Sequence, residues 1–192
     1  MAHSVLRYKT HEEWLRLRDT GIGGSDAGSI YGVNPWHSAD EVMQRKLGLL
    51  PPVEDNWPMA VGRALEPVVA DWMAAELGVT LTEPEGMYVH GDYPWMLASV
   101  DRIQPDSLDT IYECKATGSR VWTVPPDYYI AQVQHYMAVT GAEMAYIGCI
   151  HAGKIFRLYE VPRDDFYIDD LITAEKSFYE IWQERKEKGE II

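Results

Sequence analysis

The spacing of apolar residues changes once along this chain, and the change constrains the class of fold. Before Gly78, apolar residues recur at helical spacing, as Val61, Leu65, Val68 and Trp72 do. After it, the segments VTLT, GMYVH, WMLASVD and TIYECKA are typical of short strands joined by turn residues. A helix, two strands around HAGK and a final helix follow. This order predicts an α/β (α+β) fold with a central mixed β-sheet flanked by helices.

The bulk composition predicts one folded domain. The chain has 192 residues, of which 46% are hydrophobic and 24% charged, so residues 1–192 are expected to form a single domain with its own core. No apolar run approaches the roughly 18–20 residues that cross a bilayer. The N-terminal segment MAHSVLRYKTHEEW has no apolar signal core, which favours a cytoplasmic location.

The net charge of −13 argues against a protein that coats nucleic acid through bulk positive charge. It leaves open an enzyme that binds nucleic acid in a local groove with divalent metal ions, because carboxylates that hold a metal count as negative only in the empty site. A simple DNA-binding module is therefore disfavoured more than a metal-dependent enzyme.

The two cysteines, Cys114 and Cys149, both fall in predicted strands and form no CxxC pair. We interpret them as buried structural thiols rather than as a disulfide framework or a four-cysteine metal site. The six histidines show no spacing typical of zinc ligands.

Three local sequence patterns predict helix starts and a helix interruption in the N-terminal half. Thr10 and Glu13 form the pattern of a capping box at the start of a helix. The glycine-rich run TGIGGSDAGSIYGVNPW predicts a turn in which Ser25 caps a short helix. Pro67 interrupts the long helical pattern directly after Glu66, so a kink or break is expected there.

The tryptophans admit two interpretations. Trp14 and Trp72 fall at helix-core spacing and are expected to pack in the interior. Trp36 and Trp57 lie in less regular places, where they either pack locally or line a path for DNA bases.

Charged residues stand where strands disfavour them. Glu113 and Lys115 share one face of the predicted strand TIYECKA, and the hairpin before it brings Asp101 close. Two carboxylates held together repel unless a cation lies between them, and an oxygen-rich site with few side chains suits Mg²⁺ or Mn²⁺. Lys115 suits the orientation of a metal-bound water. Taken alone, so short and common a pattern is more typical of a salt-bridged surface hairpin.

The pattern D-(x)n-E-x-K on a hairpin resembles the PD-(D/E)xK nuclease superfamily. Four segments in order, LRLRDTGIGGSDAGSIYGVNPW, GRALEP, LASVDR…YECKA and YYIAQVQHYMAVTG, are similar to the phage-type exonuclease branch, the YqaJ-like viral recombinases that include the lambda exonuclease. They span Leu15 to Gly141. The resemblance implies a core like that of restriction endonucleases.

The resemblance also implies a catalytic set. Asp101 and Glu113 would hold the catalytic metal together with the backbone carbonyl of Cys114, and Glu66 would complete the metal site. Lys115 would position and activate the attacking water. The implied cofactor is Mg²⁺, with Mn²⁺ expected to substitute.

A second implied set binds DNA. Gln134, and with it Gln132, would face the active site from the following helix. Arg18 and Ser25 would grip the terminal 5′ phosphate. The residues implied to contact DNA or the 5′ phosphate are Arg18, Ser25, Ser99, Arg120, Arg102 and Gln132. The chain departs from the family's Ser-Pro-Asp-Gly pattern at Val100 and Arg102, and Arg102 adds positive charge for the DNA backbone.

The implied activity is a Mg²⁺-dependent deoxyribonuclease that digests one strand of linear duplex DNA from the 5′ end and supplies single strands for phage-type recombination. The implied partners are duplex DNA with a free end, a single-strand annealing protein and further copies of the chain in a ring-shaped trimer. Two alternatives stay open: a structure-specific endonuclease, and a DNA-end-binding subunit with the same fold.

Overall fold

The computed structural model describes residues 3–51 and 53–189. Within them the chain forms six helices and eight strands. The elements are, in chain order, β1 (His3–Leu6), α1 (His11–Arg18), β2 (Ile22–Gly23), α2 (Gly24–Ile30), α3 (Ala39–Lys46), α4 (Trp57–Leu77), β3 (Met87–His90), β4 (Met96–Ala98), β5 (Arg102–Gln104), β6 (Ser107–Thr117), α5 (Asp127–Thr140), β7 (Met144–His151), β8 (Ile155–Pro162) and α6 (Asp165–Glu187).

The strands form two mixed sheets flanked by helices, which confirms the predicted α+β class. The first sheet has the order β1-β3-β4-β2, and only β2 runs parallel to its neighbour. The second has the order β5-β6-β7-β8, with a parallel pair β6–β7 between two antiparallel pairs. The expected strand WMLASVD is shorter than predicted, because β4 ends at Ala98 in the first sheet and the next strand, β5, begins only at Arg102 in the second. Asp101 therefore lies in the crossover between the sheets.

Helix α5 connects the parallel strands β6 and β7 and is the most enclosed helix of the fold. Every residue from Ala131 to Thr140 is buried. The helix packs against β3, β4, β6 and β7 on one side and against α2 and α6 on the other. A parallel connection needs such a crossover, and here it carries polar side chains into the interior beside β6.

Helix α4 runs without interruption from Trp57 to Leu77, so Pro67 does not break it, and of the two predicted outcomes the kink stays a prediction. Proline removes only one donor, and the helix is held by packing of its buried residues Val69 and Met73 against the second sheet. The approach is close at Gly148 of β7, where an added Cβ would lie 2.4 Å from the Met73 Sδ.

Two short-range predictions have different outcomes. The Thr10 side chain caps α1 by accepting a hydrogen bond from the Glu13 amide, as expected. Ser25 does not cap α2: the extended Gly23 takes that position, and the Asp26 carboxylate accepts from the Gly23 amide. The helix begins at Gly24, so Ser25 lies inside its first turn, and the Ser25 hydroxyl accepts from Arg18 instead.

Three remaining expectations concern single segments. Both cysteines are buried and free, as predicted. The segment VTLT forms only an isolated bridge between Thr82 and Ile103 rather than a strand. Over the described residues, none of the helices combines the length and the apolar character needed to cross a membrane.

Candidate active site

A cleft of about 590 Å³ opens between the two sheets and helices α1, α2 and α4. Its floor is formed by the crossover that follows β4 and by the middle of β6. Of the residues singled out in the sequence, the cleft is lined by Arg18, Ser25, Glu66, Ser99, Asp101, Arg102, Glu113 and Gln132.

Asp101 is fixed by the main chain of the neighbouring strand. Its Oδ2 accepts a hydrogen bond of 2.8 Å from the backbone amide of Cys114. In a strand the N–H and C=O groups of one residue point to the same edge, so the Cys114 carbonyl is directed toward the same side as Asp101. The Asp101 carboxylate therefore lies at the edge of β6 toward which the Cys114 carbonyl is also directed.

Glu113 lies at the centre of the site and is 3% exposed. Its Oε1 accepts from Lys115 Nζ at 2.5 Å and from Gln132 Nε2 at 2.8 Å. Its Oε2 is buried and has no hydrogen-bond partner. A buried carboxylate oxygen without a donor is costly, which makes Oε2 a natural position for a cation.

The titration behaviour of this cluster follows from crowding in a buried place. Burial raises the pKa of Asp101 well above its usual range, and the Glu113 carboxylate raises it further. Burial also raises the pKa of Glu113, against the opposing effect of Lys115. Burial lowers the pKa of Lys115, but the two carboxylates outweigh it, and its pKa lies above the ordinary value. The two carboxylates thus favour the charged form of Lys115.

Glu66 reaches the same cleft from the opposite wall, on α4. Its Oε1 accepts a hydrogen bond of 2.7 Å from Arg102 Nη1, and the same nitrogen donates to the Asp101 carbonyl at 2.6 Å. Glu66 is near enough to Asp101 and Glu113 to raise the pKa of both. The structure thus places the three predicted carboxylates close enough to affect one another electrostatically. Of the three, Glu66 is hydrogen-bonded to an arginine.

The donor set fits a hard divalent cation such as Mg²⁺. Two carboxylates and one carbonyl are suitable ligands for an ion that keeps several waters, and Glu113 Oε2 lacks any other partner. Across residues 3–51 and 53–189, no three His, Cys, Asp or Glu side chains converge as ready-made metal ligands.

The two glutamines of α5 occupy different surroundings, which corrects the expectation that Gln134 faces the site. Gln132 donates to Glu113 and to the Tyr136 hydroxyl. Gln134 instead donates to the Pro162 carbonyl and accepts from the Asp164 amide. Residues two apart on an α-helix point in nearly opposite directions, so only one of the pair can face β6.

The residues implied for the 5′ phosphate form a second group at the cleft. Arg18 donates to the Ser25 hydroxyl, lies 3.7 Å from Asp26 and stacks over the Trp14 ring at 5.3 Å. Lys46 pairs with Asp26 at 3.1 Å from the interior side. Asp26 is thus shared between two cations, which leaves the Arg18 guanidinium with unused hydrogen-bonding capacity.

Ser99 and Arg120 differ in placement. The Ser99 hydroxyl accepts from Trp14 Nε1 at 3.0 Å and lies in the cleft wall near Asp101. Arg120 is exposed in the loop after β6 and does not line the cleft. The loop between β6 and α5 directs Arg120 outward, so the structure does not bring it to the other predicted residues.

Sequence reasoning missed the part that aromatic residues play around the cluster. Trp14 packs half-buried against the core cluster that contains Leu97, as predicted, but it also lines the cleft and contacts both Arg18 and Ser99. The Tyr129 ring lies 4.7 Å from Lys115 Nζ, and Tyr136 orients the Gln132 amide. The signal for Tyr136 was present, because it lies four residues after Gln132 and on the same helix face.

Comparison with known proteins places this geometry in a family. Residues 13–143 match the model of the YqaJ-like viral recombinase domain. YqaJ of Bacillus subtilis (strain 168) is 36% identical over 178 residues, which cover 88% of this chain and 56% of YqaJ. The chain therefore spans little more than half the length of this curated relative.

Two solved structures share the fold. An alkaline exonuclease from Laribacter hongkongensis, LHK-Exo, superposes with a TM-score of 0.78 at 24% identity, covering 92% of this chain and 95% of that one. A phage-related exonuclease from Haemophilus somnus 129PT superposes with a TM-score of 0.61 at 16% identity, covering 88% and 96%. At these identities the likeness shows the fold. The family match, which includes the segments carrying Asp101, Glu113 and Lys115, shows that this chain belongs to the YqaJ-like viral recombinase family.

Proposed function

We propose that this protein is a metal-dependent exonuclease that hydrolyses one strand of linear duplex DNA from the 5′ end and generates single-stranded DNA. The observation that carries the proposal is the buried pair Asp101 and Glu113, with an unpartnered Glu113 Oε2 beside the Lys115 ammonium. Membership of the YqaJ-like family supports it, as does a fold shared with proteins described as exonucleases.

Asp101, Glu113 and the Cys114 carbonyl would hold Mg²⁺, and Mn²⁺ is expected to substitute. The bound ion would lower the pKa of a water molecule and neutralise charge on the scissile phosphate. Glu66 contributes negative potential across the cleft while it is bonded to Arg102.

The protein's own residues orient the reacting groups. Lys115 Nζ donates to Glu113 at 2.5 Å, so the ammonium is directed into the site, where it would position and activate the attacking water. Gln132 fixes the Glu113 carboxylate, and Tyr136 holds the Gln132 amide in turn. Such preorganisation orients charged groups toward the reacting atoms before the reaction begins.

The second group at the cleft would select the end of the strand. Arg18, held by Ser25 and by stacking on Trp14, offers a guanidinium suited to bidentate contact with a terminal phosphate. The cations Lys9 and Arg63 also line the cleft and would contact the backbone of the duplex. A local groove of this kind is compatible with the net charge of −13.

Other features of the proposal rest on family membership. They are a single-strand annealing protein as partner, a ring-shaped trimer around DNA, and a cytoplasmic location in a bacterial or phage-infected cell. Sedimentation of the purified protein tests the trimer, since a monomer at all concentrations would contradict it.

Digestion of end-labelled linear duplex DNA tests the activity. With Mg²⁺ the protein should release mononucleotides from a 5′-phosphorylated end, and chelation should stop it. Lys115→Ala and Glu113→Ala should each lower the rate by at least about 10²–10³-fold, as loss of a charge-stabilising group does. Normal activity in either variant would contradict the assignment.

A closed circular duplex serves as the matched substrate. It should persist under conditions in which the linear form is degraded. Cutting of closed circles would instead indicate a structure-specific endonuclease. Tight binding to ends without digestion would indicate an end-binding subunit.

A further inference from the structure

Arg102 is a buried positive charge inside the proposed active site. Its side chain is 10% exposed, and the guanidinium bridges Glu66 Oε1 and the Asp101 carbonyl at 2.7 and 2.6 Å. Its second terminal nitrogen lies 3.6 Å from Glu83. Arg102 therefore links the wall formed by α4 to the main chain of a proposed metal ligand.

This contact restricts what Glu66 can do. An arginine does not lose its proton in proteins, so the positive charge beside Glu66 is permanent. A carboxylate oxygen that accepts a short charge-assisted bond from a buried guanidinium is poorly available to a metal ion. The guanidinium also repels any second cation that approaches the space between Glu66 and Asp101.

We propose that Arg102 takes the place of a second metal ion: it holds Glu66 outside the ligands of the cation, so that Asp101, Glu113 and the Cys114 carbonyl bind a single divalent ion. The inference rests on the proposed metal-dependent function and deepens it. The positive charge that a second ion would supply is built into the chain. Arg102 is thus a positioning residue that acts through Glu66.

Calorimetric titration with Mn²⁺ in the absence of DNA tests the proposal with the whole chain. The wild-type protein should bind one ion per chain. In Arg102→Gln the freed Glu66 should create a second site, so the stoichiometry should rise from one to two. One ion in both proteins, or two in the wild type, would overturn the inference.

Two variants separate this effect from a general change in charge. Arg63→Gln also removes a positive charge from the cleft wall, but Arg63 is half-exposed and pairs with Asp55, so the stoichiometry should stay at one. In the double variant Arg102→Gln/Glu66→Gln the second site should disappear. A second site that persists in the double variant would contradict a role for Glu66.

Glu66→Gln in the wild-type background decides the question if Arg102→Gln fails to fold. Because Glu66 is not a ligand in the proposed arrangement, Glu66→Gln should still bind one Mn²⁺ per chain, with an affinity lowered by the loss of its negative charge beside Arg102. Complete loss of Mn²⁺ binding in this variant would overturn the inference. The proposed function fails separately: a wild-type protein that binds no Mn²⁺ would contradict metal dependence itself and the inference with it.

Discussion

Gln132 Nε2 donates a hydrogen bond of 2.8 Å to Glu113 Oε1 across the interface between α5 and β6. Because the other Glu113 oxygen has no partner, this bond and the one from Lys115 set the direction in which the carboxylate points. The contact therefore joins the glutamine segment of the family pattern to the E-x-K segment in space.

Replacing Gln132 by alanine should weaken catalysis without unfolding the protein. The Glu113 carboxylate would lose one of the two donors that orient it, and loss of such an orienting partner typically lowers metal affinity or activity by about 10–100-fold. Initial rates of linear duplex digestion and Mn²⁺ affinity measure the effect.

Gln134→Ala is the matched control on the same helix. It removes the contacts to Pro162 and Asp164, which lie away from the cleft, so it should lower the melting temperature while the rate at saturating Mg²⁺ stays within about threefold. If Gln134→Ala is the more damaging of the two for catalysis, the assignment of Gln132 to the site is wrong.

Arg18→Gln should reduce the preference for a phosphorylated end. Arg18 lies in the cleft beside Ser25, whereas Arg120 is exposed outside it. Loss of a charged donor to phosphate is expected to cost about 1.5–3 kcal/mol, or roughly 10–150-fold in the ratio of rates on 5′-phosphorylated and 5′-hydroxyl ends. Arg120→Gln removes the same charge and should leave that ratio unchanged, so equal effects would contradict the placement of the phosphate site.

Substitution at Gly24 should disturb the site through Tyr136. A Cβ on Gly24 would lie 2.4 Å from the Tyr136 ring, and Tyr136 accepts the hydrogen bond that orients Gln132. Gly24→Ala should therefore destabilise the protein by about 1–3 kcal/mol and slow digestion as well. Chemical denaturation and initial rates measure the two effects.

Gly62→Ala provides the comparison for Gly24. Gly62 lies inside α4, and an added Cβ meets no atom within 4 Å. Alanine there should stabilise the protein by about 0.5–1 kcal/mol through helix propensity and leave digestion unaffected. If both substitutions stabilise the protein, the Tyr136 ring moves aside without cost and the predicted clash is wrong.

The buried pair His135–Glu175 should make stability depend on pH. Burial lowers the pKa of His135, but the Glu175 carboxylate at 2.7 Å outweighs it and the net pKa is raised. Burial raises the pKa of Glu175 too, and Asp26 adds to both shifts, while His90 is the other titratable neighbour. Because the native pair binds protons more tightly than the unfolded chain, its contribution to the free energy of unfolding declines as pH rises from below 6.5 through the raised native pKa of His135.

Thermal melts across pH 6 to 9 measure this dependence. In Glu175→Gln the imidazole faces a neutral amide, so burial is opposed only by Asp26 and the Leu97 carbonyl, and the contribution of His135 should decline less steeply as pH rises. Glu184→Gln on the same helix removes an exposed carboxylate and should keep the wild-type slope. An unchanged slope in Glu175→Gln would contradict the account.

Part of this site could be predicted because covalent spacing dictates it. Glu113 and Lys115 share a strand face whatever surrounds them, and the one-residue gap is enough to bring their charged ends within 2.5 Å. The cap of α1 is equally local. Gln132 and Gln134 show the limit of such prediction. Helical spacing indicates that their side chains point in opposite directions, but it leaves open which of them faces β6.

The amino-acid sequence by itself determined the order of elements, the α+β class, the D…E-x-K set and the family. The tertiary structure alone decided that Asp101 lies in a crossover between two sheets, that Glu66 bonds to Arg102, and that Arg120 lies outside the cleft. The physical reason is the distance along the chain over which each feature is determined. Periodicity and capping are set by neighbours a few residues away, whereas the partner of a buried charge is selected by packing of segments that lie 36 residues apart or more, as for Glu66 and Arg102.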